Sequence, residues 1–240
     1  MAKIIAVYSM KGGVGKSTVA VNLAWNAAGA SARRTLLWDI DAQGAASFLF
    51  GHDGSTGKAS RIFAREVTPA SMIEKTAFAR LDLLAGDLSL RQLGESLAEA
   101  DKPKRLRKLL QTLAADYDRV ILDCPPGLGE LSDQLFRAAD LIVAPVLPTP
   151  LALRALDQVR DHLARHHAGK PVLLPVFSMV DRRKTLHRET LAAHPSWIAI
   201  PQASVVERMA VERAPLGAFA PRSPAARAFG ELWTRVEANP

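Results

Sequence analysis

A single cysteine, Cys124, occurs in 240 residues. One thiol allows no intrachain disulfide and no paired-cysteine metal or iron–sulfur site, and such scarcity fits a reducing compartment. Tyrosine is almost as rare: Tyr8 and Tyr117 are the only two, so a terminal tyrosine cluster of the tyrosine-kinase type is absent. No stretch reaches the roughly 18 consecutive apolar residues that would cross a bilayer. The opening MAKIIAVYSMKGG carries an apolar run too short for a secretory leader. Acidic residues are also in deficit, 24 against 31 basic ones, for a formal charge of +7 and a pI near 9.9. That excess suits an acidic partner such as nucleic acid or an anionic membrane, a merely basic surface being the alternative reading.

What is present is a chain 48% hydrophobic, enough to bury a full core. Short apolar runs alternate with helical patterns, which predicts an α/β fold: a mostly parallel twisted sheet with helices on both faces. Strands are expected at Lys3–Ser9, Arg34–Asp39, Leu81–Ala85, Arg119–Asp123, Leu141–Pro145, Val172–Met179 and Trp197–Ile200. Helices are expected at Lys16–Ala30, Asp87–Ala98, Pro103–Ala115, Leu131–Ala138, Leu151–His167, Lys184–Ala193, Val205–Arg213 and Pro224–Val236. His52–Lys58 (HDGSTGK) is the most loop-like stretch, and with no repeat or linker in view residues 1–240 read as one domain.

MKGGVGKST (Met10–Thr18) lies between a buried-strand run and a helical pattern. That is the setting of a phosphate-binding loop. Gly12, Gly13 and Gly15 let backbone N–H groups approach an anion, and the helix that follows aims its positive end at the same point. Lys16 is placed to neutralise β- and γ-phosphates, Ser17 to ligate Mg²⁺ and Thr18 to reach the α-phosphate. Two further stretches carry carboxylates at strand ends. LLWDIDAQG (Leu36–Gly44) has Asp39 and Asp41 two residues apart, hence on one face of a strand. YDRVILDCPPGLG (Tyr117–Gly129) ends an apolar strand on Asp123, where a carboxylate can hold a water of the Mg²⁺ shell, before two prolines stop the ladder.

The loop has Met10 where the usual pattern has glycine, and an early lysine, Lys11. This K-G-G-V-G-K-[ST] form resembles the deviant phosphate loop of the ParA/MinD superfamily, closest to the short, Soj-like partition ATPases. The D-I-D-A-Q-G stretch is similar to that family's D-x-D-P-Q-G, with Ala42 in place of proline, and D-C-P-P to its D-x-P-P. FSMVDRRKTLHRETL (Phe177–Leu191) and the closing segment from Ile200 to Trp233 resemble family stretches as well, so the likeness spans nearly the whole chain.

The resemblance implies ATP and Mg²⁺ as ligands, cradled by Gly12, Gly13, Val14, Gly15, Lys16, Ser17 and Thr18. Lys11 would reach the phosphates of a partner subunit, making ATP binding a dimerisation switch. Asp41 would activate the attacking water, Asp39 and Asp123 would support the metal with Ser17, and Met179, Asp181 and Pro201 would surround the adenine. A loop beginning at residue 10 matches the short family form, which binds DNA without sequence preference as an ATP-bound homodimer. A ParB-like partner would stimulate a slow hydrolysis, and the protein would be cytoplasmic, associated with the nucleoid when ATP-bound.

The positive charge is concentrated late in the chain: residues 151–240 hold 13 Lys/Arg against 8 Asp/Glu. Arg182, Arg183, Arg208, Arg213 and Arg222 are the candidate DNA contacts, able to offset backbone phosphates without reading bases. The basic cluster of residues 102–108 reads as a solvated helix face. His162, His166 and His167 fall at i, i+4 and i+5 on one helix; the spacing could let two meet a metal, but without a carboxylate or cysteine signature they read as an exposed helix end. Phe229, Leu232, Trp233 and Val236 form a helical stripe that reads as core packing. A MinD-like membrane-docking helix would want more lysine on its polar face. The MinD-like cycle and, from another class, a metabolic ligase of the dethiobiotin-synthetase type are the competing readings, and the ligase has no use for Lys11.

Overall fold

Along β1 (Lys3–Val7), Ile4 and Ala6 face one side of a sheet and Ile5 and Val7 the other, and all four are buried. A strand apolar on both faces has to lie inside a sheet covered twice. The computed structural model describes residues 2–52, 59–64, 66–92 and 105–239. The other strands are β2 (Thr35–Asp39), β3 (Ile73–Lys75), β4 (Leu81–Leu84), β5 (Arg119–Asp123), β6 (Leu141–Val146), β7 (Val172–Val180) and β8 (Ala199–Pro201). They form one sheet in the order β3-β4-β2-β5-β1-β6-β7-β8, parallel throughout except for β3, which runs antiparallel to β4.

Two layers of helices cover it. On one side lie α1 (Lys16–Gly29) and α11 (Pro224–Glu237), whose Leu23, Phe229, Leu232, Trp233 and Val236 pack on Ile5, Leu37, Ile121 and Val143. On the other lie α4 (Arg105–Leu113), α5 (Glu130–Ala138) and α6 (Pro150–His166), packing Leu110, Phe136 and Leu163 on Ile4, Leu36, Val120 and Ile142. The terminal aromatic stripe is therefore core, as its spacing predicts.

Shorter helices complete the described chain: α2 (Ala45–Leu49), α3 (Ser60–Ala64), α7 (Thr185–Ala193), α8 (Ser204–Glu207), α9 (Met209–Glu212) and α10 (Leu216–Phe219). The sequence reading omits β3, α2, α3 and α10, which are too short to show a period. The helix expected at Val205–Arg213 is two pieces separated at Arg208, and Arg213 ends the second in a left-handed conformation (φ 48°). Of the helix expected at Asp87–Ala98, the described part is a 3₁₀ turn at Leu88–Gln92; residues 93–98 lie outside the described residues, as do 53–58 and 101–104.

The pairing register decides where chemistry can occur. Val7 stands beside Asp123, and Asp123 beside Asp39, so the ends of β1, β5 and β2 form one row. The chain fills the sheet on one side of β1 and β5 before crossing to β6, β7 and β8, and ligands bind outside strand ends at such a reversal.

Candidate active site

The turn from β1 to α1 is shaped by glycine. Gly13 (φ 72°) and Gly15 (φ 85°) adopt left-handed backbone, and Gly15 is the N-cap of α1 without any side chain capping the helix. The first N–H groups of α1 are thus left for an anion. Lys16 is buried despite its charge. It borders, with Gly12, Gly13, Ser17, Thr18 and Asp41, an open cleft of about 930 Å³. Val14 is buried and lies with Lys11 on the other side of the loop, among Tyr8, Ala152, Ala155 and Val159. Lys11 does not line the cleft of its own chain.

The loop is tied to the segment after β5. Tyr8 donates its hydroxyl to the Gly127 carbonyl at 2.9 Å, and the Gly127 N–H donates to the Met10 carbonyl at 3.2 Å. Cys124 is buried, and burial pushes its thiol up, so it serves as a small apolar filler.

Three aspartates stand below the loop. Asp39 is fully buried and accepts from the Ser47 N–H (2.9 Å), the Ser47 hydroxyl (2.8 Å) and the Asp41 N–H (3.2 Å). Burial raises its pKa, and the Ser47 bonds work against that rise. Asp41 is half-buried on the cleft wall, its Oδ1 accepting from the Gln43 N–H at 3.0 Å. Asp123 is buried with neither carboxylate oxygen hydrogen-bonded. Its pKa is raised well above the ordinary range, by burial first and then by the Asp39 charge. The Ser17 hydroxyl and Lys16 ammonium lie close enough to oppose this without completing a hydrogen bond. A buried carboxylate so placed suits a cation partner, and the oxygen donors of Ser17, Asp123 and Asp39 match hard, hydrated Mg²⁺.

Ser47 and Gly86 escape the sequence reading. The Ser47 hydroxyl also accepts from the Gly86 N–H at 3.0 Å, and a Cβ on Gly86 would sit 2.8 Å from the Asp39 carbonyl oxygen. Only glycine fits there, and a glycine two residues past the end of β4 is the signal available for it.

Beyond Gly15 and Thr18 the cleft continues into a recess of about 100 Å³ lined by Met179, Ile200, Pro201 and Gln202. Met179 has φ 52°, a strained backbone for a non-glycine residue. Two of the three residues expected around adenine, Met179 and Pro201, meet here. Asp181 does not line the recess: its carboxylate is held by Arg183 at 2.9 Å through two nitrogens, which lowers its pKa to about 2.

The arginines named for DNA are dispersed over the late part of the chain. Arg182 and Arg222 are exposed. Arg183 is paired with Asp181 and Arg208 with Glu212, while Arg213 lies over the Phe48 ring at 4.5 Å. Of the residue 102–108 cluster, Arg107 and Lys108 are exposed on α4, as a solvated face requires.

The family described as AAA domain matches residues 2–169. The chromosome partitioning protein ParA of Myxococcus xanthus is 36% identical over 162 residues, a match spanning 66% of this chain and 57% of that protein. The sporulation initiation inhibitor protein Soj of Bacillus subtilis is 28% identical along the full length of both. Among solved structures, the septum site-determining protein MinD of Pyrococcus horikoshii, complexed with Mg-ADP, superposes with a TM-score of 0.80 at 25% identity, over 99% of this chain and 97% of that one. The chain belongs to the ParA/MinD family of P-loop ATPases.

Proposed function

We propose that this chain is a Mg²⁺-dependent ATPase of the partition type, which dimerises around ATP, binds DNA without reading sequence and positions a plasmid, chromosome or protein cargo. The observation that carries this reading is Asp123: a buried, unpartnered carboxylate beside Ser17, in line with Asp39, at the foot of a phosphate loop. Ser17, Asp123 and Asp39 would hold Mg²⁺, which supplies positive charge against the phosphates. Lys16 and the N–H groups at Gly13, Gly15 and the start of α1 bind the phosphate oxygens. Asp41, on the cleft wall and not needed for phosphate contact, orients and deprotonates the attacking water.

Lys11 gives this scheme its regulation. Lying outside its own cleft, its ammonium supplies charge to a nucleotide held by a second copy, so the active site is complete only in a dimer. Arg182 and Arg222, with Arg183, Arg208 and Arg213 sharing their charge with neighbours, would contact DNA backbone once two copies join. A ParB-like protein would stimulate hydrolysis and release. The membrane-cycling alternative is weakened by α11, whose apolar stripe is buried against α1. Among the described residues no helix is long and apolar enough to cross a membrane.

Size-exclusion chromatography with Mg²⁺ and a slowly hydrolysed ATP analogue tests the scheme. Wild type is expected to elute as a dimer and Lys11→Ala as a monomer. Asp41→Ala should still dimerise, with hydrolysis reduced roughly 100-fold or more. Lys16→Ala should lose nucleotide binding. Mobility shifts on unrelated duplexes should appear only with ATP and weaken steeply with salt. A wild-type monomer at saturating nucleotide would sink the dimer-switch reading.

A further inference from the structure

Outside the phosphate cleft, three side chains from two helices converge on one point. Asp133 lies in the first turn of α5, His162 near the end of α6, and His167 is the residue that terminates α6. Asp133 Oδ1 is 2.5 Å from His162 Nε2 and 3.2 Å from His167 Nε2, and one ligand atom from each of the three lies within 4.8 Å of the others. His167 leaves the helical path (φ −128°, ψ 14°) while its N–H still bonds the Leu163 carbonyl. Its side chain is 3% exposed, whereas His162 and Asp133 are 22% and 26% exposed and so open a route from solvent. Phe136, on α5, meets both imidazoles edge-on at 6.1 and 5.7 Å and restrains them.

We propose that Asp133, His162 and His167 form a binding site for a zinc-class divalent cation that staples α5 to α6. Two imidazoles and one carboxylate are the donors such borderline ions prefer, and a poor set for Mg²⁺. Ligands of a tetrahedral zinc stand about 3.3 Å apart. The Asp133–His167 separation already matches, and a side-chain rotation of His162 opens the other. His166, its ring 4.7 Å from that of His162, is at hand for a fourth position otherwise taken by water. Asp133 supplies the negative charge of the site; the carbonyl end of α6 adds to it and the amide end of α5 opposes it. Burial works against ionisation of Asp133, but its hydrogen bonds to His162 and His167 outweigh this and hold the carboxyl below its ordinary range. A ring whose Nε2 carries the proton binds by shifting that proton to Nδ1, which frees the Nε2 lone pair for the metal.

Zn²⁺ alone should be titrated by calorimetry into untagged, metal-free full-length protein in excess Mg²⁺. One saturable site is expected, weakened at least tenfold in His162→Gln, in His167→Gln and in Asp133→Asn. Co²⁺ should give a visible absorption band in wild type that His162→Gln abolishes. His162 is partly exposed, so that variant should fold, and an unchanged melt without metal confirms it. Absence of saturable Zn²⁺ binding, or equal binding by wild type and the double variant His162→Gln/His167→Gln, would overturn the proposal. Binding lost instead in Asp123→Asn would place the ion in the nucleotide cleft and overturn it as well.

Discussion

The Ser47 hydroxyl stands between Asp39 and the backbone of Gly86, donating to one and accepting from the other. Replacing it with a methyl leaves a buried N–H without its acceptor and a buried carboxylate with one donor fewer. Ser47→Ala should therefore cost roughly 1–3 kcal/mol in urea unfolding, the usual penalty for orphaned buried polar groups. Mg²⁺-dependent nucleotide affinity should fall with it, because Asp39 keeps only its two backbone N–H donors and is held less firmly, while the Mg²⁺-free affinity stays. A variant as stable as wild type would mean that Asp39 is held by the Ser47 and Asp41 N–H groups alone. Gly86→Ala acts on the same spot by crowding, and a Cβ this close to two backbone oxygens should destabilise by roughly 1–3 kcal/mol.

Among the elements, α11 bears on α1 most heavily. Trp233 is buried between them, and its indole N–H donates to the Ser31 hydroxyl at 2.8 Å. Trp233→Ala should lose about 3–5 kcal/mol in chemical denaturation. Trp233→Phe should lose far less, keeping most of the packing and giving up the hydrogen bond. This helix was readable because its apolar residues recur at helical spacing over several turns. The central strands were readable for a similar reason, being continuous apolar runs that only a doubly covered sheet can bury. That the glycine loop and the three aspartates gather at neighbouring strand ends was readable from the apolar runs that lead into them. β3 offers one apolar residue in three, so its strand state comes from pairing with β4 and not from its own pattern. α2 is five residues long and is organised around Ser47, whose partner Asp39 is eight positions away. The break at Arg208 is likewise tertiary: Met209 is buried beside Asn22, whose side chain bonds both its sulfur and the Leu216 N–H. The histidines share a helix end as expected, but of the three only His166 is exposed: Asp133, arriving from another helix, draws His162 and His167 inward.

Over the whole molecule, the first strand and the last helix are clasped together. Lys3 Nζ donates to the carbonyls of Val236 and Asn239. Glu237 accepts from Arg119 at 2.6 Å and from Arg33 at 3.4 Å. Burial of Glu237 works against its ionisation, but the Arg119 and Arg33 contacts outweigh it and lower the carboxyl below its usual 4.5. A depressed carboxylate stabilises the fold fully above the unfolded value and loses that contribution as pH falls through the folded one. Wild type should thus exceed Glu237→Gln in unfolding free energy at neutral pH, and the gap should close below about pH 4.5, as followed by urea titrations across that range. A constant gap would mean that packing, not charge, is what Glu237 supplies. The sheet's two borders show how such a molecule behaves in a crowd. Both β3 and β8 are three residues long; β3 exposes Glu74 and Lys75, and β8 ends on Pro201, which has no N–H to donate. Among the described residues, neither border offers an incoming strand a ladder to extend. Copies crowded together at high local density would find, at these two described borders, no template from which to grow a fibre.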